Sequence, residues 1–258
     1  MTIKRQLYLL LGIALLFGSG LMAGAEGKEH PAEVLDLQLW KLTLPYAREN
    51  GKKPLEIFQP NLAGFQNPIC FFVNKERDGV VFRAHCSEVT TKNSSYPRCE
   101  LREMAGRKAK RAVHKEKAAW ATDDGVLHRM TVTQAITALP PVKSHVVCAQ
   151  IHDAGDDLIM IRLEDRKLFV ERNRFGDVLL DADYELGTRF TVKIEASDGH
   201  VRVWYNDVLK MDWERSKKKC YFKAGCYTQS NTSKGDAPES YGEVVIYQLK
   251  VEHLSLHE

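Results

Sequence analysis

The chain has 258 residues, 44% of them hydrophobic, with 37 Lys and Arg set against 34 Asp and Glu. That length accommodates one large all-β domain or two small ones, and it is enough to bury a sizeable core. With a formal charge of only +3, the chain can attract a polyanion only through the way its charge is distributed, and no nucleic-acid-binding module is recognisable.

Met1 to Ala25 has the anatomy of a secretory signal: Lys4 and Arg5, an apolar run from Leu7 to Phe17, then Ala23-Gly24-Ala25 as a small-residue cleavage site. The run is too short to span a bilayer, and no cysteine directly follows it to carry a lipid, so no stable membrane association is expected. Cleavage gives a mature chain that starts at Glu26, carries 35 basic against 34 acidic residues, and is secreted or periplasmic. Residues 26–258 read as a single domain.

After a polar, loose stretch from Glu26 to Pro31, the chain becomes a series of short β-rich runs. An opening strand at Trp40 is followed by runs at Ile69–Asn74, Val80–Cys86, His128–Ala138, Val146–Asp153 and Leu158–Glu164. Further runs lie at Lys167–Arg172, Phe190–Ala196, Val201–Tyr205, Cys220–Gln229 and Glu243–His253. Asp78-Gly79, Asp198-Gly199 and Asn206-Asp207 supply turn chemistry between them. Many short strands without sustained helical periodicity predict a sandwich or barrel. One stretch resists: Ala105 to Trp120 carries Arg107, Lys108, Lys110, Arg111, Lys115 and Lys117, and propensity alone makes it a basic helix. In an exported β protein it is better read as a solvated excursion between strands, at the rim of a groove.

The six cysteines open fifteen disulfide pairings, and Cys70 with Cys86 is the expected one, because the two flank a hairpin turning at Lys75–Gly79. Cys99 and Cys226 fall on the hidden faces of their strands. The acidic cluster Asp153–Asp157 lacks the spacing of a calcium loop and the histidines form no HExxH pattern, so neither metal nor cofactor is implied.

Three stretches carry chemistry. Tyr221-Phe-Lys-Ala-Gly-Cys-Tyr-Thr-Gln229, read with the two-residue period of a strand, sends Tyr221, Lys223, Gly225, Tyr227 and Gln229 to one face, and Phe222, Ala224 and Cys226 to the other. The first face has the makings of a polar groove floor, with Gly225 where a ligand could approach the backbone. Arg98, Glu100 and Arg102 share one face of the strand Arg98–Glu103, and Gln150 and His152 flank Ile151 in the same way. Glu100 and Glu103, three apart, lie on opposite faces, which excludes the facing carboxylates of a glycosidase.

In this order the blocks Arg98-Cys-Glu-Leu-Arg102, Gln150-Ile-His152 and Tyr221–Gln229 resemble the signature motifs of the alginate lyases of polysaccharide lyase family 7, and Trp40–Pro45 is similar to that family's opening strand. The likeness runs from Trp40 to the C-terminus. It implies a β-jelly roll of two antiparallel sheets with a concave substrate groove, and a monomer that cleaves an anionic polysaccharide by β-elimination. Cys99 stands where the family commonly has serine or threonine, on the inward face.

Such a reaction removes the C5 proton beside a uronate carboxylate and expels the C4 oxygen, so the site must neutralise charge building on the carboxylate. The resemblance assigns Arg98, Gln150 and His152 to the carboxylate and Tyr227 to proton transfer, with His152 as the base for guluronate. Lys223, Arg102 and Gln229 fall to neighbouring sugars, and Glu100 holds Arg98 or Arg102 in place. Ile151 implies activity on guluronate-containing stretches. A lyase for another polyuronate such as glucuronan, or a non-catalytic carbohydrate-binding jelly roll, would share the fold.

Overall fold

The computed structural model describes residues 28–49, 51, 53–87, 89–92, 94–105 and 116–256. The expected signal segment and residues 106–115 of the basic stretch lie outside them.

A single helical turn, α1 (Pro31–Val34), leads into fifteen strands. They are β1 (Trp40–Ala47), β2 (Pro54–Ile57), β3 (Phe71–Val73), β4 (Val80–His85), β5 (Arg98–Glu103), β6 (Val126–Ala138), β7 (His145–His152) and β8 (Asp157–Glu164). The series continues with β9 (Lys167–Glu171), β10 (Val178–Asp181), β11 (Phe190–Ser197), β12 (His200–Tyr205), β13 (Val208–Glu214), β14 (Tyr221–Thr228) and β15 (Tyr241–Ser255). Two antiparallel sheets result, ordered β10-β9-β8-β7-β14-β5-β1-β2 and β13-β12-β11-β6-β15-β4-β3. This is the expected jelly-roll sandwich.

The core forms where the inner faces meet. Leu42, Leu101, Ile151 and Phe222 from the first sheet pack with Phe82, Met130, Ile194 and Val244 from the second, all fully buried. Each such side chain contributes about 1.5–3 kcal/mol by leaving water. The alternation read for β14 holds: Phe222, Ala224 and Cys226 are buried in this core. At Asp198-Gly199 and Asn206-Asp207 both residues have positive φ, as tight hairpins whose twist matches their strands require.

β2, β10 and β13 escaped the sequence reading, and all three are edge strands. An edge strand is short or largely solvated, so its hydrophobic alternation is weak; β13 buries only Met211 of its seven residues. The loose reading of Glu26–Pro31 also ends too late, since Pro31 opens α1 and the Glu33 carboxylate accepts from the backbone N–H of His30 at 2.9 Å.

The Cys70–Cys86 pairing is not formed, and all six cysteines are free and buried. The expected hairpin is present, with Phe71 opposite Phe82, and Arg83 N donates to Cys70 O at 2.9 Å. Cys70 therefore lies beside Arg83, and Cys86 is three residues farther along its strand, about 10 Å away at the usual rise. Burial pushes the Cys86, Cys220 and Cys226 thiols up to about 12, so they pack as small apolar groups.

Gly225 answers a different constraint from the one its position on the groove face suggested. Along β5 the pairing is unbroken, with Gly225 opposite Glu100 and Tyr227 opposite Arg98. Along β7 it jumps from Ala224–Ala149 to Tyr227–Val147, so Gly225 sits in a bulge, at φ +131°. A Cβ there would lie 2.7 Å from Cys99 O and 2.9 Å from Glu100 Cα. The close approach is that of β5 and not of a ligand. Gly225→Ala is expected to lose at least ~2 kcal/mol of stability in chemical denaturation; an unchanged midpoint would contradict this reading.

Candidate active site

Because β14 lies between β5 and β7, the three chemical stretches become neighbours on the outer face of the eight-stranded sheet. The register sets Lys223 opposite both Arg102 and Gln150, and Tyr221 opposite His152. An open cavity of about 560 Å³ lies above them, reached also by Lys41 of β1, Glu56 of β2, Thr91, Lys92, Ser94, Lys117 and the β7–β8 turn. Lys117 brings the end of the basic stretch to this groove.

At the floor, the Glu100 carboxylate is 2% exposed and gathers three donors. Arg98 Nη1 donates to Oε2 at 3.0 Å, Lys223 Nζ lies 2.5 Å from the same oxygen, and Gln150 Nε2 donates to Oε1. Burial raises the pKa of Glu100, but the Lys223 ammonium and the Arg98 guanidinium reverse this and hold it below the ordinary carboxylate range. Lys223 itself is brought down to about 8, by burial first and by Arg98 next. One carboxylate between two cations leaves the floor net positive.

The two proton-transfer candidates flank this cluster. His152 Nδ1 lies 2.7 Å from Asp153 O and 3.1 Å from Tyr221 Oη, and its ring stacks on Tyr221. A carbonyl only accepts, so Nδ1 carries the hydrogen and Nε2 keeps its lone pair. Burial, then the charge of Lys223, lowers the pKa of His152 and favours this neutral form. The Tyr227 hydroxyl lies 3.1 Å from Ser94 Oγ, which also accepts from Arg98 Nη2 at 2.9 Å. The Arg98 guanidinium lies 3.8 Å from the Tyr227 ring centroid, so one side chain orients the phenol and contributes positive charge beside it.

Of the residues singled out from sequence, Arg98, Glu100, Arg102, Gln150, His152, Lys223 and Tyr227 all line this one cavity. Glu100 holds Arg98, and not Arg102. Arg102 instead lies over the Tyr221 ring at 3.8 Å and donates to Glu103 O. Gln229 follows the end of β14, is buried and does not line the cavity. Glu103 points to the opposite side, accepting from Trp120 Nε1 at 3.0 Å and from Phe222 N at 2.8 Å. Sequence parity placed Tyr221 on the groove face without giving it a role, and sequence reasoning missed Ser94 and Lys41; Ser94 precedes its strand, where alternation gives no guidance.

The model of a family described as "Alginate lyase" matches residues 35–253. Among solved structures, alginate lyase AlgAT5 from polysaccharide lyase family 7 is 53% identical with a TM-score of 0.80, covering 87% of this chain and 98% of that one. The alginate lyase from Corynebacterium sp. is 42% identical with a TM-score of 0.80, over 88% and 100% of the two chains. A variant of the family 7 alginate lyase A1-II′, in complex with the substrate GGMG, is 28% identical with a TM-score of 0.69, over 89% and 98%.

Glu100→Gln keeps the shape of the floor but removes the charge that balances Arg98 and Lys223. It is expected to cost about 3–5 kcal/mol in denaturant unfolding, because two buried cations lose their counter-ion. A loss below about 1 kcal/mol, the scale of an exposed pair, would show that Glu100 does not hold them.

Proposed function

This chain belongs to the alginate lyases of polysaccharide lyase family 7, and from that membership we propose that its groove carries out β-elimination on alginate through Arg98, Gln150, His152 and Tyr227. The supporting observation is the convergence of these side chains on one net-positive floor anchored by buried Glu100.

A uronate at this floor presents its carboxylate to the Arg98 fork and to the remaining N–H of the Gln150 amide. Their charge and dipoles stabilise the enolate-like dianion that forms as the C5 proton leaves. The C5–H electron pair becomes the C4–C5 double bond, the C4–O4 bond breaks, and O4 takes a proton. Tyr227 supplies that proton, its ring held in place by the Arg98 guanidinium stacked on it. On guluronate, where C5 offers its proton from the opposite side, neutral His152 takes it through Nε2. Lys223, Arg102 and Lys41 hold neighbouring sugars, whose repeated carboxylates suit a line of cations.

The protein acts as an exported enzyme, a reading that rests on the signal-like Met1–Ala25. Ile151, buried beneath Gln150 and His152, inclines the specificity to guluronate-containing alginate through backbone position, since its side chain cannot touch a sugar in the groove.

Polymannuronate, polyguluronate and glucuronan, each incubated with the protein and a chelator, distinguish these readings by the ultraviolet absorbance of the unsaturated product. Alginate blocks should react, polyguluronate faster than polymannuronate, and Tyr227→Phe should still bind alginate while turnover falls at least ~100-fold. Parental turnover by Tyr227→Phe would remove the phenol from its role; reaction with glucuronan alone would reassign the substrate.

The pH profile follows from two shifts. His152 is lowered from 6.5, so its neutral, base-competent form persists into mildly acid solution. The acid limb of kcat/KM on polyguluronate should therefore have its midpoint below 6.5. Lys223, brought down to about 8, loses its charge above that pH, and KM for the polymer should rise there. An acid midpoint above 6.5 would contradict a neutral His152 base.

A further inference from the structure

A second cavity, of about 320 Å³, lies beside the groove, formed by the β7–β8 turn, the turn after β9 and the segment that ends β13. Asp156 and Asp157 line both cavities, so a polymer leaving the groove over this wall enters the second one. Its other walls are cationic and aromatic. Arg215 lies 4.7 Å from the Phe175 ring centroid and 5.4 Å from that of Trp213. Arg172 lies 5.3 Å from the Trp213 centroid, and Arg174 is 5.3 Å from that of Phe175.

Within the described residues these arginines lack a carboxylate partner, as Arg102 in the groove also does. Arg83, Arg129 and Arg162 each meet a glutamate within 2.7 Å. Among the described residues, Arg172, Arg174 and Arg215 form no ion pair, and the buried Nε of Arg215 has no acceptor. Arg172 is braced by the carbonyls of Gly176 and Phe175, at 2.9 and 3.0 Å, which fix its guanidinium without neutralising it. Lys217, also in the wall, is already committed to Asp153 at 2.8 Å. Three unpaired arginines against Asp156 and Asp157 leave the cavity net positive.

We infer that this cavity is an accessory binding site for a uronate polysaccharide, taking carboxylates of the strand that extends beyond the catalytic groove. Guanidinium forks match carboxylates, and the Trp213 and Phe175 rings against which they pack hold them in the wall. The two sites, joined by one polymer, act as a bivalent pair: long chains gain affinity that short ones cannot. The inference rests on the lyase reading, so both must be testable separately.

Binding of alginate polymer and of short alginate oligosaccharides is measured by calorimetry on Tyr227→Phe protein, alone and combined with Arg174→Glu or Arg215→Gln; wild-type cleavage is followed in parallel and judges the lyase reading by itself. Arg174 is exposed, so reversing its charge leaves the core untouched. Either substitution should weaken polymer binding roughly three- to tenfold and leave short oligosaccharides unaffected. No change with polymer overturns the inference. Equal losses for polymer and oligosaccharide also overturn it, since they locate the effect in the groove itself. An equal loss on dextran sulfate reduces the site to a general polyanion patch and overturns its assignment to uronates.

Discussion

A single buried carboxylate, that of Glu100, allows a lysine, an arginine and a glutamine to converge on one patch of β-sheet. Two cations of this kind repel one another, and burial makes each more costly. With Glu100 between them they can be held close and still present net positive charge to whatever occupies the groove. The arrangement is weak evidence for stability and better evidence for function: the dipoles and charges are fixed before substrate arrives, so little reorganisation is needed as charge develops. Lys223, brought down to about 8, shows how strongly the cluster acts on its members.

The backbone makes this possible by bringing distant segments into adjacent register. β14 is the central strand, and its unbroken pairing to β5 puts Tyr227 beside Arg98 and Lys223 beside Arg102. On its other edge a bulge at Gly225 absorbs the mismatch with β7, so that Lys223 still meets Gln150 and Tyr221 still meets His152. Below the sheet, the apolar alternate positions lock the same strands to the second sheet, and the groove side chains inherit that rigidity. Even the tautomer of His152 follows from backbone, through the carbonyl of Asp153.

Much of this was legible in the sequence because strand parity is a strict rule. Tyr221, Lys223 and Tyr227 share a face, Cys99 and Cys226 are hidden, and Glu100 and Glu103 point apart, all by counting in twos. Features set by long-range register were not legible. Nothing local distinguishes Arg98 from Arg102 as the partner of Glu100, since both are two residues away on the same face; the structure pairs it with Arg98, together with Lys223 from the neighbouring strand. The Cys70–Cys86 expectation failed for a related reason, because the first arm of the hairpin ends at Phe71 and the chain turns away before reaching Cys86. Edge strands β2, β10 and β13 carry too little buried surface to leave a pattern, and Gln229 lies just past the point where alternation on β14 stops applying.

The central claim is that the floor built on Glu100 receives the uronate carboxylate and presents C5 to the proton-transfer residues. A crystal structure of Tyr227→Phe protein with a bound alginate oligosaccharide tests it most directly. The expected result is a carboxylate within hydrogen-bond distance of Arg98 and Gln150, with Arg98 still paired to Glu100 and His152 Nε2 directed toward C5. An oligosaccharide whose carboxylates all lie away from Arg98 and Gln150 would contradict the account.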